Sequence, residues 1–164
     1  MTLPFGGADD SQNIFLRVYL GSDGKVFAEA GEASYIGVTQ VREPNAKPIR
    51  VPVPHTGSTF VEAINIPVVE QGDMTAEFFC EKADATHLAM RQLLVTRPAP
   101  KLWYEVVHVP FTEGTDDELN EAAETVLSRF KATCMDFPRT AQERQALKGT
   151  IQLQLDSIPE YDPD

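Results

Sequence analysis

The chain has 164 residues, of which 42% are hydrophobic and 24% charged, and 25 acids against 14 Lys and Arg leave a formal net charge of −11. A chain of this length buries roughly 70% of its unfolded surface, so a single domain over residues 1–164 needs no disulfide to fold. That charge balance excludes a surface that grips nucleic acid through Lys and Arg clusters. Nor does any apolar run approach the roughly 20 residues that cross a bilayer as a helix, so no membrane insertion is expected.

Residues 1–12, with the small and polar run FGGADDSQ, read as an N-terminal arm. Met1–Phe5 lacks a basic region and an apolar core, so no signal peptide is expected. IFLRVYL (14–20) and KVFAEA (25–30) flank a Gly/Asp turn and predict a hairpin. A further strand is expected at SYIGVTQVR (34–42). In EPNAKPIRVPVPHTG (43–57), Pro44, Pro48, Pro52 and Pro54 fix φ at four points and forbid a regular helix. The segment is expected to be a long extended loop, with IRV as a short edge strand.

STFVEAINIPVV (58–69) is rich in β-branched residues and reads as a strand. TAEFFCEK alternates, with Ala76, Phe78 and Cys80 on one side. ADATHLAMRQLLVTRP (83–98) changes to a helical period, with His87, Met90 and Leu94 on an apolar face and Asp84 or Thr86 as the N-cap. KLWYEVVHV (101–109) returns to a strand in which Trp103 and Tyr104 face opposite sides.

Residues 115–137 carry two competing patterns. Thr115, Asp116, Asp117 and Glu118 resemble a helix start, while RFKATCMDF also reads as extended. In KGTIQLQLDS (148–157), Ile151, Leu153 and Leu155 alternate with Thr150, Gln152, Gln154 and Asp156. This strand has one buried and one wet face, and from Thr150 to Asp156 the wet one carries no cation. The whole reads as mainly β (β+α): two packed antiparallel sheets in a sandwich or barrel, with a flanking short helix.

Chemistry is sparse. His55, His87 and His108 form no HExxH or HxH arrangement, and GxSxG, P-loop and GxGxxG motifs are absent. Cys80 and Cys134 have no CxxC spacing and read as buried free thiols suited to a reducing cytoplasm. The acids Asp116, Asp117, Glu118 and Glu121 read as a solvated loop or helix start, not an EF-hand. No catalytic residue, cofactor site or metal site is expected, and the chain is not read as an enzyme.

The layout nevertheless resembles a known family. GSTFVEAINIPVVEQGDMTAEFFCEKADATHLAMRQLL gives strand, turn, strand, then an acidic residue and a short amphipathic helix. KLWYEVVHV follows, and FKATCMDFPRTAQERQALKGTIQLQLDSIPE closes the chain as a strand pair joined through Phe137-Pro138-Arg139-Thr140. In this order of elements, over most of 14–158, the chain is similar to the major tail tube protein of long-tailed (siphovirus-type) bacteriophages, whose fold is related to the inner tubes of contractile tails and type VI secretion systems. The acidic insert at 112–123 is longer than in the simplest members of that family.

The resemblance implies a virion structural protein, assembled in the host bacterial cytoplasm, that forms hexameric rings. The rings stack into the hollow tail tube through which the genome leaves. Its partners would be copies of itself and the tape measure, tail terminator and distal tail proteins. Contacts between rings would fall to the arm at 1–12 and the loop at 43–57, with Arg42, Glu43, Pro44, Asn45, Lys47, Pro48 and Arg50 as the matching residues. The resemblance also favours an extended 124–137, limiting any helix to 116–123. Thr150, Gln152, Gln154 and Asp156 become candidates for the lumen wall, where few phosphate contacts let DNA slide. Two other readings stand beside it: a single-ring tail completion or adaptor protein, and a small β-barrel with a ligand pocket between Phe78, Trp103 and Phe130.

Overall fold

The computed structural model of the chain describes residues 13–45, 47–53, 62–70, 72–80, 84–114, 118–141 and 143–163. The expected N-terminal arm, His55, and the acids Asp116 and Asp117 lie outside these residues. The strands are β1 (Ile14–Tyr19), β2 (Ser34–Gly37), β3 (Gln40–Arg42), β4 (Lys47–Val53), β5 (Glu62–Glu70), β6 (Asp73–Phe79), β7 (Lys101–His108), β8 (Thr125–Asp136), β9 (Arg139–Thr140), β10 (Lys148–Leu155) and β11 (Glu160–Tyr161). One α-helix, α1 (Ala85–Leu93), lies between β6 and β7.

The mainly β class with one short helix holds, but in place of two sheets packed face to face there is one large sheet and a separate two-stranded one. Nine strands form a single sheet in the order β2-β1-β7-β8-β10-β6-β3, with β9 on β10 and β11 on β8. Its two edge strands, β2 and β3, are joined by Val38 and Thr39 alone. Three extended steps reach only about 10 Å, so the two edges must lie close and the sheet must roll over on itself. It stops short of a closed barrel, since β2 and β3 are not paired.

Rolling puts one face inward. Leu16, Ile36, Met74, Phe78, Tyr104, Phe130, Ile151, Leu153 and Leu155 come from six strands and meet in one core, each nearly inaccessible. Burial of side chains this size, at roughly 1.5–3 kcal/mol each, is the main stabilising term. Helix α1 adds to the core: the Asp84 carboxylate caps its start by accepting from the Thr86 and His87 amides at 2.8 and 3.1 Å. Its buried residues are His87 and Met90. The His87 ring lies 4.8 Å from that of Phe78, which in turn lies 4.8 Å from Phe137.

Gly149 makes room for that cluster. A Cβ at Gly149 would fall 2.8 Å from Cys80 Sγ and closer still to the Phe78 ring. Phe78 is 1% exposed and held by His87 and Phe137, so it has nowhere to retreat. Gly149→Ala should destabilise the fold by about 1–3 kcal/mol through overpacking. The urea midpoint checks this, and an unchanged midpoint would show that the ring has room to move.

Four local expectations are corrected. KVFAEA is no strand: Phe27–Glu29 form a 3-10 turn, and the partner of β1 is β2. The Phe27 ring packs edge-on against Tyr19 and Trp103 at 5.4 and 5.6 Å, and this tertiary contact overrides the local turn signal. The stretch 34–42 is split into β2 and β3 at opposite edges. Of the stretch 116–123 to which any helix was limited, the described part, 118–123, holds only a 3-10 turn at Glu121–Ala123, and Leu119 before it bridges Phe111. Extended structure was the correct reading of the ambiguous region, since β8 spans 125–136 with odd-numbered and even-numbered residues on opposite faces as far as Cys134, where a register shift breaks the alternation.

The fourth correction concerns the loop at 43–57. Lys47–Val53 forms a full strand, paired antiparallel with β5 in a separate two-stranded sheet. Pro48 and Pro52 are compatible with this because both strands are edges, and residues four apart direct their backbone groups to the same side. Two residues of β5, Pro67 and Val68, are bulged out where the register shifts between Pro48 and Ile49. The Pro-rich segment is one side of a β-ribbon arm.

Candidate functional site

The wet face of β10 extends across its neighbours. Register sets Gln40, Glu77 and Thr150 in one row, and Arg42, Thr75, Gln152 and Asp136 in the next. Asp73, Gln154 and Thr133 make a third. Every one of these residues is exposed or half-buried. Three are carboxylates and one is a guanidinium, and the exposed Lys148 of β10 and Lys101 of β7, which pairs with Thr133, share the face, so it is polar with acids and cations interspersed. Of the four lumen candidates, Gln152 and Gln154 are exposed, while Thr150 is half-buried. Asp156 is engaged: it accepts from Thr133 Oγ1 at 2.5 Å and lies 3.6 Å from Lys101 Nζ.

The other seven candidates lie at and beyond the end of β3. Arg42, Glu43 and Asn45 are exposed, and Pro44 is buried with its carbonyl accepting from Tyr161 at 2.5 Å. Lys47, Pro48 and Arg50 are on β4. The structure therefore separates the candidates into a sheet face and a ribbon that leaves the edge of the same sheet.

Sequence reasoning missed a third feature, on the outward face of β1, β7 and β8. Tyr35, Arg17, Glu105, Arg129 and Glu160 stand directly opposite one another on five consecutive strands, β2, β1, β7, β8 and β11. Glu105 is fully buried, and its two oxygens accept from Arg17 Nε at 2.8 Å and Arg129 Nε at 2.9 Å. Arg17 also donates to Tyr35 OH at 3.2 Å and pairs with Glu124. The Arg129 guanidinium stacks 3.8 Å above the Phe27 ring. Burial opposes the charge on Arg17, but the hydrogen bonds to Glu105, Tyr35 and Glu124 outweigh it and raise its pKa above the ordinary guanidinium value. Part of the signal was present: Arg17 is the lone charge of β1, and Glu105 interrupts the apolar run from Leu102 to Val107 in β7.

None of these groups makes a catalytic constellation. The charge row has its donors and acceptors matched, and burial pushes the Cys134 thiol up to about 11, away from the reactive thiolate. Among the described residues no cluster of His, Cys, Asp or Glu could hold a metal ion, and no helix is long and apolar enough to cross a membrane. The pocket imagined between Phe78, Trp103 and Phe130 is not formed. Phe78 and Phe130 are in the core, while Trp103 is on the opposite sheet face, its Nε1 donating to the Lys25 carbonyl at 2.9 Å.

No protein-family model matches the chain, and no curated protein matches it. Solved structures do. A chain of the anti-feeding prophage baseplate superposes with a TM-score of 0.60 at 12% identity, over 92% of this chain and 93% of that one. The chain has the fold of a tail and injection-system component. A chain from the tail of an empty gene transfer agent particle, refined with C6 symmetry, gives 0.55 at 11% identity over 93% and 96%. The SPP1 tail tube gives 0.55 at 11% identity over 93% of this chain and 79% of that one. The shared feature is thus the whole rolled sheet with its helix and not an isolated hairpin.

Proposed function

We propose that this chain is a structural, non-enzymatic subunit of a hollow tail tube, assembled as six-membered rings that stack, with the polar face of β3, β6 and β10 lining a lumen through which DNA passes. The observation that carries this reading is the extent of the likeness, over nine-tenths of the chain, to the SPP1 tail tube and to a C6-symmetric tail. The surface chemistry supports it. Unpaired edges at β2 and β3 are an aggregation hazard for a lone subunit, and closing several subunits into one barrel removes them. An amide-rich wall in which Asp73 and Glu77 offset Arg42 and Lys148 presents no net positive charge to phosphates and so offers DNA little friction. In this assembly β4–β5 reaches the next ring, and Arg42, Glu43, Asn45, Lys47, Pro48 and Arg50 fall within or beside that contact. Assembly in a host cytoplasm, and binding to tape measure, terminator and distal tail proteins at the tube ends, belong to the same proposal.

The lumen assignment is tested by charge. Gln152→Lys with Gln154→Lys adds two cations per subunit to the wall, and a ring multiplies them. Particles carrying both changes should eject DNA at least several-fold more slowly, with the delay shrinking as salt rises. Unchanged ejection and infectivity would remove this face from the lumen. The likeness to baseplate and tube-cap structures also supports a second reading, a single-ring adaptor at a tube end; such a protein would stop at one ring on its own.

A further inference from the structure

The arm is a continuation of the main sheet, interrupted at one place. Gln40 pairs with Glu77, Val41 with Ala76 and Arg42 with Thr75; beyond a gap, Lys47 pairs with Glu70 and Pro48 with Val69. Each step forward on one strand is matched by one step back on the other, so a single register runs through both ladders. The gap is Glu43–Asn45, where the ladder has no pairs. Pro44 has no N–H to contribute there. Asn45 is pressed against Gly72 so closely that a Cβ on Gly72 would fall 2.6 Å from the Asn45 carbonyl oxygen.

The chain terminus meets this gap. Tyr161 OH donates to the Pro44 carbonyl at 2.5 Å, supplying from a side chain the bond that the ladder lacks. Tyr161 is itself held. It pairs with Ser128, while Glu160 pairs with Arg129, and the Asp162 amide donates to the Leu127 carbonyl at 2.9 Å. Glu160 lies 3.7 Å from Arg129 Nη1, which ties the segment to the buried charge row. A cleft lined by Ile14, Val41, Glu43, Leu127, Tyr161 and Asp162 runs between the root of the arm and the body.

We propose that the C-terminal strand is a latch: Tyr161 fixes the root of the β4–β5 arm at Pro44, so that the arm is presented to a second copy of this chain already aimed. The aiming role rests on the reading above, in which the arm docks on a neighbouring copy; the latch itself does not. Tyr161 is a positioning residue, acting through Pro44.

The test compares the full chain with its Tyr161→Phe variant as dilute subunits, by residual dipolar couplings of the backbone amides. In the parent protein, couplings from 47–53 and from the body should fit one alignment frame. In Tyr161→Phe the body couplings should be unchanged, which controls for folding, and the arm couplings should fall at least twofold. Equal arm couplings in both proteins would overturn the latch. At assembling concentrations the variant should show a lag about tenfold longer; a collapsed arm with an unchanged lag would overturn the aiming role. If the parent protein never assembles while its variant loses the arm couplings, the tube reading fails and the latch stands.

Discussion

Deleting the arm should abolish assembly and leave the subunit folded. Asn45 and Gly72 lie against one another, so residues 46–71 can be replaced by a short Gly link without moving the body. Lys47–Val53 and Glu62–Glu70 pair with one another and belong to no ladder of the nine-stranded sheet. Stability should therefore stay within about 0.5 kcal/mol of the parent, read from the urea midpoint. An isolated two-stranded ribbon is at best marginally stable in water, so a contact surface that completes it has much to contribute to association. Losing it should raise the critical concentration for tubes by roughly 100-fold or more, equivalent to about 3 kcal/mol. Light scattering and sedimentation check both halves. Tubes formed by the deletion variant at the parent's concentration would show that β4–β5 is not the contact.

The largest effect on stability is expected at Glu105. Replacing it with Ala leaves Arg17 and Arg129 facing each other across a buried site with the shared carboxylate gone. Removing one partner of a buried ion pair costs about 3–5 kcal/mol, because the remaining charge stays desolvated. Against a total stability of about 5–15 kcal/mol, that brings the domain close to unfolding at ordinary temperature. Replacing the row as a unit, with Arg17→Met, Glu105→Leu and Arg129→Met together, should be much milder than Glu105→Ala alone, since no fully buried charge is left unpaired and Glu124 and Glu160, which lose their arginines, reach solvent. Urea denaturation of the single and triple variants decides this. A loss below about 1 kcal/mol for Glu105→Ala would show that water reaches the site and screens the arginines.

The sequence made the central strands legible because burial is one-sided there. Alternation in TAEFF and TIQLQL places Ala76 and Phe78, and Ile151, Leu153 and Leu155, in the core as read, while Cys80, read with them, is half-buried. Asp84 was recognisable as a cap because its carboxylate sits just before the helical period begins. The arm was missed because four prolines argue against a central strand, and only pairing with 62–70 turns 47–53 into a ribbon of two edges. The charge row was missed for a related reason: Arg17, Glu105 and Arg129 are 88 and 24 residues apart in the chain, and only the register sets them side by side. Phe27 misled in the same way, since its partners Tyr19, Trp103 and Arg129 come from three different strands. The wet face of β10 was visible in the sequence; that β6 and β3 extend it into a broad polar surface follows from the pairing.

The central claim is that copies of this chain build a tube. Negative-stain electron microscopy of the purified protein at high concentration tests it most directly. The account predicts hollow, uniform tubes with a stain-filled channel and stacked six-fold rings in projection. A protein that stays monomeric over the whole concentration range, or that stops at single rings, would contradict it.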